Sequence, residues 1–94
     1  MSIYLTAIVK AKIAKRAELK TILLDMVSKS RREDACIQYD LHEDIVNHTF
    51  IFHEEWVDQI GLNQHNQQSY ILNFVEKSVE LSDGITIYKT DQIA

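Results

Sequence analysis

The 94-residue sequence contains no proline, two glycines, one cysteine and one tryptophan. With no proline, and with Gly61 and Gly84 as the only glycines, flexible linkers and low-complexity segments are not expected, and no fixed-period repeat is visible. The lone cysteine, Cys36, excludes an intramolecular disulfide and suits a reducing compartment. No apolar run approaches the roughly 20 residues needed to span a bilayer. The opening MSIYLTAIVKAK lacks the basic segment and long apolar stretch of a signal peptide. The expected location is therefore the cytoplasm, with no membrane partner. Basic residues are also in the minority, 10 Lys and Arg against 14 Asp and Glu, for a net charge of −4. That balance argues against a nucleic-acid partner, because a phosphate backbone needs a basic face. The one basic pair, Arg31–Arg32, is followed at once by Glu33 and Asp34 and reads as a solvated helix end. His42, His48 and His53 show no ligand spacing with a cysteine or carboxylate, so no metal site is expected.

Hydrophobic residues make up 46% and charged residues 26% of the chain, ordinary values for one globular domain over residues 1–94. Ile3 to Lys12 alternates, with Ile3, Leu5, Ala7, Val9 and Ala11 on one face and Tyr4, Thr6 and Ile8 on the other, which predicts a strand. The period then changes. Leu19, Ile22, Leu23, Met26 and Val27 recur at helical spacing and predict an amphipathic helix. Ala35 to His42 alternates again, with Ile37, Tyr39 and Leu41 opposite Cys36, Gln38, Asp40 and His42. Glu43 to Asn47 fits a hairpin loop, and a third strand runs from about His48 to Val57. Asp58 can cap a second helix, expected to break near His65–Asn66. It resumes with Tyr70, Ile71, Phe74, Val75, Ser78 and Val79 inward. Ser82-Asp83-Gly84 signals a turn before a last strand from Ile85 to Asp91.

The resulting order, β-α-β-β-α-β, is the ferredoxin-like α+β pattern, a four-stranded antiparallel sheet with its helices on one face. The other sheet face is half apolar, and two-fold association is the commonest way to cover such a patch. A homodimer packed sheet to sheet is therefore expected.

The third strand carries the densest chemistry. Phe50, Phe52, Glu54 and Trp56 share one face, and His65 follows nine residues after the indole. His65, with an ordinary pKa of roughly 6.5, suits proton transfer near neutrality. Trp56 offers a flat wall and an N–H donor. Glu54, a carboxylate on an apolar face, needs a partner, and orienting a histidine is one use for it. Tyr39, Phe52, Tyr70 and Phe74 are the candidates for lining a pocket. Each residue also has a plainer use: His65 as a helix-end surface residue, Trp56, Tyr70 and Phe74 as core, Glu54 as half of a structural pair, and Cys36 as a packed strand residue.

At Phe50, Phe52, Glu54, Trp56, Gly61, Leu62 and His65 the sequence resembles the antibiotic biosynthesis monooxygenase family, which includes small quinol monooxygenases. The resemblance extends to the outer strands IYLTAIVKAK and ITIYKTD. It implies a dimeric α+β barrel and oxygen chemistry without a cofactor on a small aromatic hydroxylated compound, quinol- or anthrone-like, with O2 as co-substrate. The substrate supplies the electrons, so it must first lose a proton. On this reading His65 is the base, Glu54 and Trp56 complete the catalytic group, and Phe52, Tyr39, Tyr70 and Phe74 bind substrate. The sequence departs from the family pattern at Ala14-Lys15-Arg16, at Ala35-Cys36 and at Asn66 to Ser69, the last beside the expected pocket. The superfamily's haem-degrading enzymes use an asparagine and a histidine where this sequence has Ala7 and Val75 or Glu76. Two alternatives remain open: a non-catalytic dimeric binding domain of the same fold, and an isomerase-like enzyme using the same base without oxygen.

Overall fold

The computed structural model describes residues 2–94. Strand β1 (Ile3–Ala11) leads through a short 3-10 turn (Ile13–Lys15) into helix α1 (Arg16–Ser30). Strands β2 (Cys36–Asp44) and β3 (Thr49–Trp56) follow, then helices α2 (Gln59–Asn66) and α3 (Ser69–Leu81) and strand β4 (Ser82–Thr90). The sheet is antiparallel in the order β2-β3-β1-β4. This is the ferredoxin-like α+β fold, with the second helix broken at Gln67–Gln68.

Alternation in β1 and β3 sets the two faces. Ala7, Val9 and Ala11 of β1 and Phe50, Phe52, Glu54 and Trp56 of β3 are buried. They form one core with Leu19, Leu23, Met26 and Val27 of α1 and Ile71, Phe74 and Leu81 of α3. On the outer face, Tyr4 lies opposite Glu55, Thr6 opposite His53 and Ile8 opposite Ile51. All six are half-buried.

Four local expectations change. A register shift between Cys36 and Gln38 sets Cys36 beside Trp56 and Tyr39 beside Glu54. The bulge absorbs one residue, so Cys36 joins the Tyr39 face while Ile37 is 53% exposed. The β2–β3 hairpin is longer than expected: Glu43 and Asp44 are strand residues, and the turn covers Ile45 to His48. Asp44 closes it by accepting from the backbone and side-chain nitrogens of Asn47 at 3.1 and 2.7 Å, and His48 takes the left-handed conformation (φ 52°). Ser82-Asp83-Gly84 forms no turn. Ala11 pairs with Ser82 and Lys10 with Gly84, so the polar run is a bulge at the start of β4. Finally, the inward stripe of α3 is Ile71, Phe74, Ser78 and Leu81, while Val75 and Val79 are exposed. Both series have helical spacing, and the direct entry from Leu81 into β4 decides between them. Ser78 tolerates its inward position because its hydroxyl donates to the Val75 carbonyl at 2.7 Å.

The link from β3 to α2 is short and tightly held. The Asp58 carboxylate accepts from the Gly61 backbone N–H at 2.7 Å, an N-cap bond. Val57 N–H donates to the Ala35 carbonyl at 2.9 Å. A Cβ added at Gly61 would stand 2.3 Å from the Ala35 Cβ, so glycine is what lets α2 approach the start of β2. Gly61→Ala is expected to destabilise the fold by about 1–3 kcal/mol. Ala35→Gly in the same chain should restore much of that loss, which urea unfolding midpoints of the two variants would measure.

Candidate active site

Period-two alternation puts Glu54 into the core between Phe52 and Trp56, where it is 7% exposed. Its Oε1 accepts the indole Nε1–H of Trp56 at 2.9 Å, a bond between same-face residues of one strand. Burial is the main cause that pushes the Glu54 pKa up to about 7. The Trp56 bond pulls it down, and the nearby negative charge of Glu33 raises it further. Glu54 therefore holds a proton part of the time at neutral pH.

His65 lies at the end of α2, 4% exposed. Its ring rests on the Trp56 indole, centroids 4.3 Å apart at 39°, and meets the Tyr39 ring edge-on at 5.5 Å. Its Nδ1 is 2.6 Å from Oε2 of Glu33. The Tyr70 hydroxyl donates to the same carboxylate oxygen and lies 3.3 Å from the Ser30 hydroxyl. Burial lowers the His65 pKa, while Glu33 acts in the opposite direction. The imidazole is thus neutral at neutral pH, the form a base requires.

Glu54, His65 and Tyr39 border a cavity of about 130 Å³. Glu54, His65, Asn66 and Tyr39 give its polar side; Leu5, Ala7 and Val9 of β1 and Phe52 of β3 give its floor. Ile71 and Phe74 wall it from α3, and the exposed Val75, Ile85 and Ile87 stand at its rim. Of the residues singled out in the sequence, Tyr39, Phe52, Glu54, His65 and Phe74 come together around this space. Trp56 and Tyr70 do not border it. Trp56 is completely buried behind His65, its N–H committed to Glu54, so it is not the free wall expected of it. Tyr70 stands behind His65 on the Glu33 carboxylate.

Two residues were missed. Glu33, not Glu54, is the partner of His65; in the sequence it reads as part of a solvated charge run, and a separation of 32 positions leaves no spacing signal. Asn66 lines the cavity because it directly follows His65 at the helix end. Among the described residues no three His, Cys, Asp or Glu side chains come together as metal ligands. Of Ala7, Val75 and Glu76, compared above with the haem-degrading enzymes, Ala7 and Val75 line the cavity and offer it only alkyl groups.

The raised pKa of Glu54 has a stability signature. The folded state holds this proton above the ordinary carboxyl value of 4.5 and releases it near 7. The associated stability is complete below about pH 4.5 and lost as pH rises through about 7. Glu54→Gln keeps an acceptor for the Trp56 N–H but cannot ionise. Its stability relative to the unsubstituted chain should therefore grow by on the order of 3 kcal/mol between pH 4 and pH 8. Urea unfolding across that range measures the difference, which cancels the opposite trend that the lowered pKa of His65 gives to both proteins.

Residues 2–77 match the sequence profile of the family described as "Antibiotic biosynthesis monooxygenase". The chain is 36% identical over 91 residues to the Bacillus subtilis (strain 168) protein named "Putative monooxygenase YcnE", covering 95% of this chain and 96% of that one. Its fold is similar to the crystal structure of PA3566 from Pseudomonas aeruginosa, with a TM-score of 0.92 and 30% identity over 99% of this chain and 95% of the other. Rv0793 from Mycobacterium tuberculosis shares the fold at a TM-score of 0.93 and 22% identity, over 100% and 97% of the two chains. The profile match spans most of the domain, including the Glu54–Trp56–His65 cluster. The chain belongs to the antibiotic biosynthesis monooxygenase family.

Proposed function

We propose that the protein is a monooxygenase that needs no cofactor and oxidises a small quinol, with His65 as the base. The observation that carries this reading is the convergence of a buried imidazole and a buried carboxyl on one largely apolar cavity, where burial favours the neutral form of each. Membership of the family supports the monooxygenase class, and the site supports the chemistry. The cavity of about 130 Å³ is close to the roughly 150 Å³ known to hold one benzene ring. A single-ring quinol matches that volume, and a larger ring system would extend past the exposed rim residues Val75, Ile85 and Ile87.

The imidazole of His65 takes a hydroxyl proton from the quinol, and the quinolate passes one electron to O2. The semiquinone and superoxide so formed combine, making a carbon–oxygen bond at a ring carbon bearing hydrogen. The peroxide anion takes the proton held by His65. The O–O bond of the resulting hydroperoxide then breaks as the imidazole removes the ring C–H proton, and the departing hydroxide takes that proton up and leaves as water. One O2 and one quinol thus give one hydroxyquinone and one water, with the substrate supplying all four electrons. Glu54, able to hold a proton at neutral pH, donates a hydrogen bond to the growing negative charge on the substrate. Trp56 positions both Glu54 and His65. Tyr39, Phe52 and Phe74 pack against the ring, and Tyr70 supports the site from behind Glu33.

The half-apolar outer face of the sheet, with Tyr4, Ile8 and Ile51, supports a homodimer packed sheet to sheet. Sedimentation equilibrium should give twice the chain mass, and Ile8→Glu, which sets charge at the middle of that face, should give the chain mass with the far-UV spectrum retained.

For the reaction, oxygen uptake with a panel of single-ring quinols in chelator-treated protein should be saturable and yield hydroxyquinone. The acidic limb of kcat/KM should lie below pH 6.5, because burial lowers the His65 pKa. His65→Ala should lower kcat by on the order of 10²-fold or more. Absence of uptake with every quinol, or uptake unchanged in His65→Ala, would contradict the proposal. Binding without turnover would point to a binding domain, and product formed equally well without oxygen to an isomerase.

A further inference from the structure

Glu33 sits in the segment between α1 and β2, with its side chain 13% exposed. Among the described residues it pairs with no lysine or arginine. Arg31, two positions earlier, is committed to the Asp40 carboxylate at 2.9 Å and the Tyr39 carbonyl at 3.0 Å, and Arg32 points to the Ser28 hydroxyl. The Glu33 carboxylate is instead satisfied by His65 and Tyr70, both on its Oε2. An ionised carboxylate accepts hydrogen bonds and donates none, so the imidazole nitrogen facing it must carry the hydrogen. In a neutral ring the other nitrogen, Nε2, then holds the lone pair. That nitrogen has no hydrogen-bond partner among the described residues, and His65 borders the cavity. Tyr70 is held on its far side by Ser30 at 3.3 Å. Burial raises its phenol pKa, so it stays a donor and keeps the carboxylate from turning away.

We propose that Glu33 is the positioning residue of this site: it locks His65 as the Nδ1–H tautomer, so that Nε2 meets the substrate as a base, and Tyr70 holds Glu33 to that task. The role rests on His65 being the base. It differs from a merely structural contact in one respect, since it dictates which nitrogen carries the proton. Glu33→Leu exposes that difference. A leucine fills a similar space but offers no acceptor, so nothing holds the hydrogen on Nδ1, and the Nε2–H form, in which the cavity-facing base becomes a donor, gains population.

The test combines long-range 15N–1H spectra of His65 near pH 7.5 with quinol-dependent oxygen uptake. In the unsubstituted protein Nδ1 should show the shift of a protonated nitrogen and Nε2 that of a bare one. In Glu33→Leu the Nε2 shift should move toward that of a protonated nitrogen, with kcat lowered by on the order of tenfold or more and KM within about threefold. Glu33→Asp should keep the original tautomer and recover part of kcat. Tyr70→Phe should keep the tautomer with a smaller loss. A protonated Nε2 in the unsubstituted protein would overturn the proposal, as would a folded Glu33→Leu with unchanged tautomer and kcat. If Glu33→Leu does not fold, the spectra of the unsubstituted protein and of Glu33→Asp decide. If no quinol is oxidised, the monooxygenase reading fails by itself while the tautomer arm still reports on Glu33.

Discussion

The contact on which this structure turns is the buried His65 ring lying on the Trp56 indole, centroids 4.3 Å apart. It joins the last residue of β3 to the last turn of α2, nine residues on. The chain can make it only because α2 begins almost at once and packs very close. Asp58 caps the helix, and Gly61 has no side chain to collide with Ala35. The stack then leaves two edges to be used. The indole N–H is spent on Glu54 and the imidazole Nδ1 on Glu33. What remains for the cavity is one oxygen of Glu54 and one nitrogen of His65.

Burial acts on these two groups in opposite directions. It makes the charged form costly in both, so it raises the pKa of the carboxyl and lowers that of the imidazole. The result near neutrality is an acid that can hold a proton beside a base with a free lone pair. Glu33 sharpens the arrangement, since its negative charge also raises Glu54 while it holds His65. The cavity that this pair borders is largely apolar and opens at Val75, Ile85 and Ile87.

Much of the fold was legible in the sequence because its signals are local. The alternation in β1 and β3 places Ala7, Val9, Phe50, Phe52, Glu54 and Trp56 on the helix side, and Asp58 marks the start of α2. The misread stretches are those where a local pattern has two solutions. Cys36-Ile37 alternates equally well with or without a bulge, and pairing with Trp56 selects the bulge. The helical spacing of α3 fits the Val75–Val79 side as well as the Phe74–Ser78 side. The Ser82-Asp83-Gly84 composition suits a turn or a bulge, and the register with Ala11 makes it a bulge. The site was legible to the same degree. Residues carried on β3 and α2 were found, and the family resemblance drew His65 into the group. Glu33 was not, because only the fold brings the α1–β2 segment to the end of α2. Trp56 was found, but its commitment to Glu54 could not be read from its position in the strand.

The central claim is that this cavity inserts one atom of O2 into a single-ring quinol. The direct test is a single-turnover reaction of chelator-treated protein with a quinol under 18O2, quenched before the product carbonyls exchange with water. The product should be a hydroxyquinone carrying one 18O atom, with the second 18O recovered in water. A product free of label, or unaltered quinol after O2 has been admitted, would contradict the claim.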